Sequence, residues 1–138
     1  MRIDPDMAEP VLAVARFMAK GEDHGLADHF ATGDAVVILE NFPPFLFTGP
    51  GALEDWRKGF LAHARLLDLD GLVFEIGHPQ DLSIREDRTY FTLPVRWRGN
   101  ALGHPFDERG GWSFVLVREA GERRWRILSY AWAVTWKG

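Results

Sequence analysis

The spacing of apolar residues differs between the clearest helical segment of this chain and the residues that follow it, and the difference limits the folds open to it. In "ALEDWRKGFLAHARLL" (52–67) apolar residues recur every three or four positions, and Trp56 and Phe60 share one helical face. After it they alternate, as in "RTYFTLPVRWR" (88–98), the pattern of a half-buried strand. Helices followed by a run of strands predict an α+β fold with the helices packed on one face of an antiparallel sheet.

Three helices are predicted, separated from most of the strands. They cover about Pro10 to Lys20, about 23 to 31, and 52 to 67, and the first begins near Pro10 because proline is tolerated in a first helical turn. Two short strands, "DAVVILEN" and "FLFTG", lie between the second and third helices.

Four longer strands are predicted in the second half, over 72–78, 88–98, about 102–118 and about 124–136. Gly99-Asn100 reads as a two-residue hairpin turn, and "REAGER" as the last turn. Pro94 and Pro105 predict bends in the long hairpin, since proline donates no ladder hydrogen bond. The pair at 110–111, "GG", predicts a further bulge. A sheet curved in this way leaves a concave interior.

Length, charge and composition exclude several classes of protein. The 138 residues suit one domain, 1–138, and a net charge of −4 is opposite to the basic footprint of a nucleic-acid binder. There is no cysteine and no His-x-His or His-Glu-x-x-His motif, so we expect no metal and no cofactor. The first residues do not read as a signal peptide, and no apolar run reaches about 18 residues. We therefore expect a cytoplasmic protein that binds neither nucleic acid nor membranes.

Two stretches carry a resemblance to a known superfamily: "MAKGEDHGLADHFATGDAVVI" (18–38) and "GGWSFVLVREAGERRWRILSYAWA" (110–133). They resemble, respectively, the helix–break–helix–strand opening and the closing hairpin of nuclear transport factor 2-like proteins. This superfamily includes ketosteroid isomerases and polyketide cyclase-like proteins. The resemblance implies a cone-shaped α+β barrel with three N-terminal helices on a strongly curved, mainly antiparallel sheet. It also implies dimers formed through the sheet.

The catalytic residues of ketosteroid isomerases are not conserved in type at the matching positions. The resemblance places the general-base aspartate on Leu39, and a one-residue shift is needed to bring Glu40 into that role. It places the oxyanion-hole aspartate on Trp112 and the oxyanion-hole tyrosine near Val14. We therefore do not expect steroid isomerase activity.

Aromatic residues are concentrated where the interior is expected. The resemblance implies that alternate side chains of the last two strands point into the interior: Trp112, Phe114, Leu116, Leu128, Tyr130 and Trp132. Trp56 and Phe60 face the same interior from the third helix. His78 continues the face of Leu72, Phe74 and Ile76, so we expect it to point inward, either toward a ligand or, as is more common for a lone histidine, as a hydrogen-bonded core residue. These rings either fill a core or line a pocket for a small hydrophobic molecule. The predicted ligand-binding set is Trp56, Phe60, His78, Trp112, Tyr130 and Trp132.

The catalytic candidates each have two interpretations. Glu40 ends the first strand, either as a buried general base with a raised pKa or, as its position favours, as an exposed charge. His104 and Asp107 form either an acid/base pair or an exposed loop pair. His63, on the inner face of the third helix, could join His78 in a histidine group.

The other face of the last strand predicts an interface. Trp125, Ile127, Ala131 and Ala133 are assigned outward, beside Val115 and Val117. An apolar stripe of that kind marks an interaction surface and predicts a homodimer with Trp125 or Ile127 in the interface.

Three functions remain open from the sequence. The first is a small-molecule-binding domain with an aromatic pocket. The second is a cyclase, dehydratase or isomerase that uses acid/base catalysis on a hydrophobic substrate. The third is a structural or partner-binding module with a filled core.

Overall fold

A computed structural model describes residues 2–138. Its helices are α1 (Pro5–Lys20), a 3₁₀ helix (Leu26–His29) and α2 (Ala52–Leu66). Its strands are β1 (Val37–Leu39), β2 (Leu46–Phe47), β3 (Asp70–Ile76), β4 (Gln80–Arg85), β5 (Arg88–Ala101), β6 (His104–Val117) and β7 (Arg126–Lys137). Two α-helices packed on one large sheet give an α+β fold, as the periodicity predicted.

One mixed sheet contains all seven strands, in the order β2-β1-β7-β6-β5-β3, with β4 also paired to β5. Every neighbouring pair is antiparallel except β1 and β7, which run parallel. The parallel pair brings the first strand of the chain beside the last. Residues about 90 positions apart therefore become neighbours on one face.

The prediction of three helices was wrong, because the second is a single 3₁₀ turn of four residues. Gly25, with φ of 72°, precedes it, and Phe30 is already extended, so too few residues remain to nucleate an α-helix. The first helix also begins earlier than predicted. Asp4 caps it by accepting a hydrogen bond from the Asp6 backbone N–H at 2.9 Å, and Pro10 lies inside it.

The long hairpin turns at Leu102-Gly103 and not at Gly99-Asn100. Both turn residues have positive φ, 52° and 78°, as a two-residue hairpin turn requires. The β5–β6 register is continuous from Arg88–Val117 to Ala101–His104, so neither predicted proline bend occurs in this pair. Pro94 is tolerated because its nitrogen faces the gap between β3 and β4 and not the β6 ladder.

Two irregularities shape the β6–β7 pair. One lies at the predicted glycine pair, between Arg109 and Gly110, where a Cβ on Gly110 would meet the Ala133 carbonyl oxygen at 2.1 Å. The other lies between Val115 and Leu116, where β7 contains one extra residue. Because side chains alternate along a strand, one extra residue reverses which face the following side chains occupy.

That second irregularity overturns the predicted outward face. Trp125 and Ile127 lie in the core, 5% and 0% exposed, and they cannot form the predicted interface. The neighbouring Leu128 is only half-buried, although it was predicted to point inward.

The core lies between the concave face of the sheet and the two helices. α1 contributes one face and α2 contributes Ala52, Trp56 and Phe60. In the described part of the chain, no helix has the length and apolarity needed to cross a membrane.

Candidate active site

A cavity of about 240 Å³ opens inside the sheet beside α2. Six aromatic rings contribute to its wall, together with aliphatic side chains, and a few polar groups interrupt this surface. The rings are Phe42, Phe60, Trp97, Phe106, Trp112 and Trp132. The polar side chains are Glu40, Asn41, His63, Asp107, Glu108 and Lys137. A concave, mostly apolar wall with few polar groups is the usual form of a small-molecule site.

Glu40 follows β1 and is 3% exposed, so the interpretation as an exposed strand-end charge was wrong. The parallel pairing of β1 with β7 explains why the Glu40 side chain points inward. Ile38 is opposite Tyr130 and Leu39 is opposite Ala131, so the even-numbered side chains of both strands face inward. Leu39, the position that the resemblance matched to the general-base aspartate, is 45% exposed on the outer face.

Two aromatic donors hold the Glu40 carboxyl. Trp56 Nε1 donates to Oε2 at 2.9 Å, and the Tyr130 hydroxyl donates to the same oxygen at 2.5 Å. The two donor rings meet edge to face with centroids 5.8 Å apart, which fixes the direction of both donors. Neither donor reaches Oε1, which accepts no side-chain hydrogen bond in the described residues.

Burial raises the pKa of Glu40 to about 7, from an ordinary value of 4.5. The hydrogen bonds from Tyr130 and Trp56 favour the ionised form and moderate this rise, while the nearby Glu108 adds to it. Burial raises the pKa of Tyr130 well above 10, and the negative charge of Glu40 adds to the effect. The tyrosine therefore remains a neutral donor while the carboxyl changes its protonation near neutral pH.

Other polar groups lie farther along the cavity wall. His63, on α2, stacks on Phe42 with centroids 4.9 Å apart, and burial lowers its pKa. Glu108, on β6, accepts a hydrogen bond from Trp132 Nε1 at 3.3 Å and lies 3.8 Å from Lys137 Nζ. A neutral imidazole and a carboxylate thus share the cavity with Glu40.

Trp112 is a buried wall residue whose indole N–H is not used by the protein. It is 2% exposed, and its Nε1 finds no hydrogen-bond partner within residues 2–138. Its ring packs edge to face on Tyr130, with centroids 5.6 Å apart.

Solved structures that resemble the whole chain share this architecture. A nuclear transport factor 2-like superfamily protein from Salmonella enterica has a TM-score of 0.75 at 10% identity, over 95% of this chain and 89% of that one. A candidate ketosteroid isomerase from Shewanella frigidimarina has 0.72 at 20% identity, over 94% and 96%. A candidate scytalone dehydratase from Novosphingobium aromaticivorans has 0.73 at 12% identity, over 96% and 84%.

The chain has the nuclear transport factor 2-like fold. The resemblance stated from the two sequence stretches is therefore confirmed for the fold. Neither a protein-family model nor a curated protein matches the sequence. Because one fold supports many activities, the function of this chain has to be argued from its cavity.

Within this fold, the predicted ligand-binding residues fall into three groups. Phe60, Trp112 and Trp132 line the cavity. Trp56 and Tyr130 lie behind its wall, fully buried, where they hold Glu40 and do not face a ligand directly. His78 is exposed after the end of β3 and lies outside the cavity, so the inward direction predicted for it was wrong.

His104 and Asp107 do not form a pair. His104 is exposed at the first position of β6. Asp107 borders the cavity, but both of its carboxylate oxygens accept from Arg96, at 3.0 and 2.7 Å. This hydrogen-bonded pair lowers the pKa of Asp107, which therefore stays ionised and unsuited to proton transfer near neutral pH. The proposed histidine group also fails, since only His63 reaches the cavity.

Glu108, Trp97 and Phe106 are wall residues that the sequence reasoning missed. The signal was available, because Phe106 and Glu108 occupy even positions of β6, in phase with Trp112. The bulge expected at 110–111 obscured that phase. It interrupts the pairing of β6 with β7 but leaves the pairing with β5 continuous.

Proposed function

We propose that this protein is a small acid/base enzyme that moves a proton on a hydrophobic molecule held in the cavity, with Glu40 as the general base. One observation carries the proposal: a buried carboxyl at the cavity wall has one oxygen fixed by two aromatic donors, while the other oxygen has no side-chain partner. A carboxyl whose pKa lies near 7 is matched to proton transfer at neutral pH.

The step follows from this arrangement. Ionised Glu40 takes a proton from a carbon of the substrate through Oε1, and the C–H electron pair stays on the substrate. The pair then either moves onto an adjacent carbonyl oxygen or expels a leaving group from the next carbon. The first outcome is an isomerisation after the proton returns from Glu40, and the second is an elimination.

Two of the structural neighbours, the candidate dehydratase and the candidate isomerase, bear the names of these two classes of reaction. Because the identities are only 12 and 20%, these names support the choice of reaction classes to test. They do not point to a particular substrate. The apolar wall supports a hydrophobic substrate. The cavity volume of about 240 Å³, below the roughly 300 Å³ at which drug-sized sites begin, supports one of monocyclic to bicyclic size.

The test is turnover in D₂O, followed by proton NMR, with a panel of one- and two-ring ketones, β-hydroxy ketones and β-halides. Deuterium exchange, elimination and isomerisation all change the spectrum, so one measurement covers both classes. Glu40→Gln should reduce turnover by at least about 100-fold. Glu75→Gln makes the same chemical change outside the cavity, at a carboxylate paired with Arg98, and should leave turnover unchanged.

Binding without turnover is the outcome that favours the other function, a small-molecule-binding domain without catalysis. In that case panel members bind, but none exchanges or reacts faster than in buffer. Equal turnover by the wild type and Glu40→Gln would remove Glu40 from the reaction.

We further propose that two copies associate through the outer face of the sheet. Two rows of side chains without formal charges cross this face. Leu46, Leu39 and Ala131 form one, and Val37, Ser129, Val115 and Tyr90 form the other. Leu39, Leu46 and Tyr90 are all more than one-third exposed, and an apolar surface of this kind is unusual on a monomer.

Light scattering tests the association. A dimer has twice the 15.7 kDa of one chain, and Leu39→Asp should return it to the monomer mass without unfolding. Leu66→Asp places the same charge on an exposed leucine of α2, outside this face, and should leave the mass unchanged. A wild-type mass of one chain at micromolar concentration would contradict the proposal.

A further inference from the structure

The tryptophan rings of the cavity wall are not covered by the protein's own cations. Trp97, Trp112 and Trp132 all line the cavity. In residues 2–138 the two cation–π contacts involve Trp125 and Trp136, and neither of these is a wall residue. Because the π-electrons of an indole attract positive charge, a wall with three such rings suits a cationic ligand.

Two carboxyls lie on the same wall without a close cation. Glu40 is 3% exposed, and its Oε1 accepts no side-chain hydrogen bond in the described residues. Glu108 accepts a hydrogen bond from Trp132 Nε1, which is an uncharged donor. The charge of Glu108 contributes to the raised pKa of Glu40, so the two carboxylates repel each other. A positive charge in the cavity would offset this repulsion.

The other polar groups nearby do not neutralise these carboxyls. Lys137 is the only cationic side chain among the described wall residues, and its Nζ lies 3.8 Å from Glu108 Oε2, beyond hydrogen-bonding distance. Its side chain is 69% exposed, so water and salt screen its charge. Burial lowers the pKa of His63, which keeps its imidazole neutral at pH 8. The two carboxyls therefore leave the cavity with an excess of negative charge.

The composition of the wall favours an organic cation over a metal ion. A metal site in a protein usually supplies three or more nitrogen, sulfur or oxygen ligands. Residues 2–138 contain no group of three or more His, Cys, Asp or Glu side chains that could hold a metal ion. A hydrophobic ammonium ion matches the wall, since its carbon atoms can contact the rings while its charge is attracted by the rings and the carboxylates.

We propose that the molecule bound in the cavity is a hydrophobic organic cation, a protonated or quaternary amine with one or two rings, held by the aromatic wall and by Glu40 and Glu108. This inference rests on the proposed function insofar as it takes the cavity as the substrate site. It narrows the hydrophobic substrate to one that carries a positive charge, and it gives Glu108 a role in specificity.

The experiment compares two ketones of the same shape by equilibrium dialysis at pH 8. One is 4-(trimethylammonio)acetophenone, a cation, and the other is 4-tert-butylacetophenone, with a carbon atom in place of the nitrogen. The wild type should bind the cation at least about tenfold more tightly. Glu108→Gln keeps an oxygen acceptor for Trp132 but removes the charge, and should reduce this preference by about tenfold. Glu75→Gln makes the same change outside the cavity and should leave the preference unchanged.

A second variant covers the case in which Glu108→Gln does not fold. Because Lys137 is largely exposed, Lys137→Gln should fold normally and strengthen binding of the cation by about threefold, with no change for the neutral ketone. The inference is overturned if the wild type does not bind the cation, or binds the neutral ketone as tightly. It is also overturned by an unchanged preference in Glu108→Gln or by no gain in affinity for the cation in Lys137→Gln.

The same two ketones separate this inference from the proposed function, because both carry C–H groups next to a carbonyl. If the cation is preferred but neither ketone exchanges deuterium in a way that depends on Glu40, the charge preference stands and Glu40 is not the base. If exchange depends on Glu40 while the wild type does not prefer the cation, the base is supported and this inference is wrong.

Discussion

The interior of this protein has two parts that are both rich in aromatic residues but differ in what surrounds them. In the part we call the packed region, Phe17, Phe30, Trp56, Ile127 and Tyr130 are all 1% exposed or less. In the cavity region, Phe60, Trp97, Phe106, Trp112 and Trp132 share the wall with His63, Glu108 and Lys137.

The difference shows that aromatic content does not decide whether the interior is filled. In the packed region α1, the 3₁₀ turn and α2 all cover the sheet. Their aromatic rings contact one another, as Phe17 and Trp56 do with ring centroids 5.3 Å apart. In the cavity region the wall includes charged side chains of the strands, which cannot be packed dry without cost. Glu40 lies where the two regions meet. Trp56 and Tyr130 of the packed region donate hydrogen bonds to its carboxyl, which also borders the cavity region.

The largest expected effect is that of a charge in the packed region. Ile127→Asp buries a carboxylate at a fully enclosed position, which should cost more than about 4 kcal/mol and prevent folding. Ser129→Asp, two residues away on the outer face, should remain folded. Circular dichroism of both variants decides this, and a folded Ile127→Asp protein would show that this end of β7 faces outward.

Truncation of one ring in each region measures the contrast directly. Phe30→Ala should lose about 3 to 5 kcal/mol of unfolding free energy, because its enclosed site cannot collapse. Phe106→Ala, half-buried beside an existing cavity, should lose about 1 kcal/mol. Urea unfolding gives both values, and equal losses would mean that the cavity region is as tightly packed as the other.

Glu40 should make stability depend on pH. Below its ordinary pKa of 4.5 the carboxyl is protonated in both states and carries no penalty. As the pH rises toward its folded value of about 7, the unfolded chain ionises first, so this group destabilises the fold by roughly 3 kcal/mol above pH 7.

The measurement is the difference in unfolding free energy between the wild type and Glu40→Gln, taken from pH 4 to pH 8. The wild type should lose stability relative to the variant across this window, since glutamine does not ionise. A difference that stays constant would place the pKa of Glu40 at its ordinary value and remove it as a base for neutral pH.

The smallest effect concerns the boundary between the two regions. Tyr130→Phe removes the donor that most strongly lowers the pKa of Glu40, so this pKa should rise further above about 7. Because the base must be ionised, the pH at which kcat/KM reaches half of its plateau should move upward by the same amount. A profile that does not move would mean that the hydroxyl does not support the carboxylate.

Local patterns in the sequence were sufficient for the fold class and for several site residues. The change from helical to alternating periodicity gave the α+β architecture. The face of α2 with Trp56, Phe60 and His63 was readable from their spacing, and Glu40 was identified as the carboxyl that ends the first strand. Each of these depends on a few neighbouring residues, which is why the sequence alone determines them.

Only the tertiary structure decided which side chains point inward and what Glu40 can do. One extra residue in β7 turned Trp125 and Ile127 into the core, and nothing local distinguishes Leu128 as that residue. The donors of Glu40 are 16 and 90 positions away in the chain, brought together by α2 and by the parallel pairing of β1 with β7. Burial and hydrogen bonding set a pKa, and both are sums over residues that are distant in sequence.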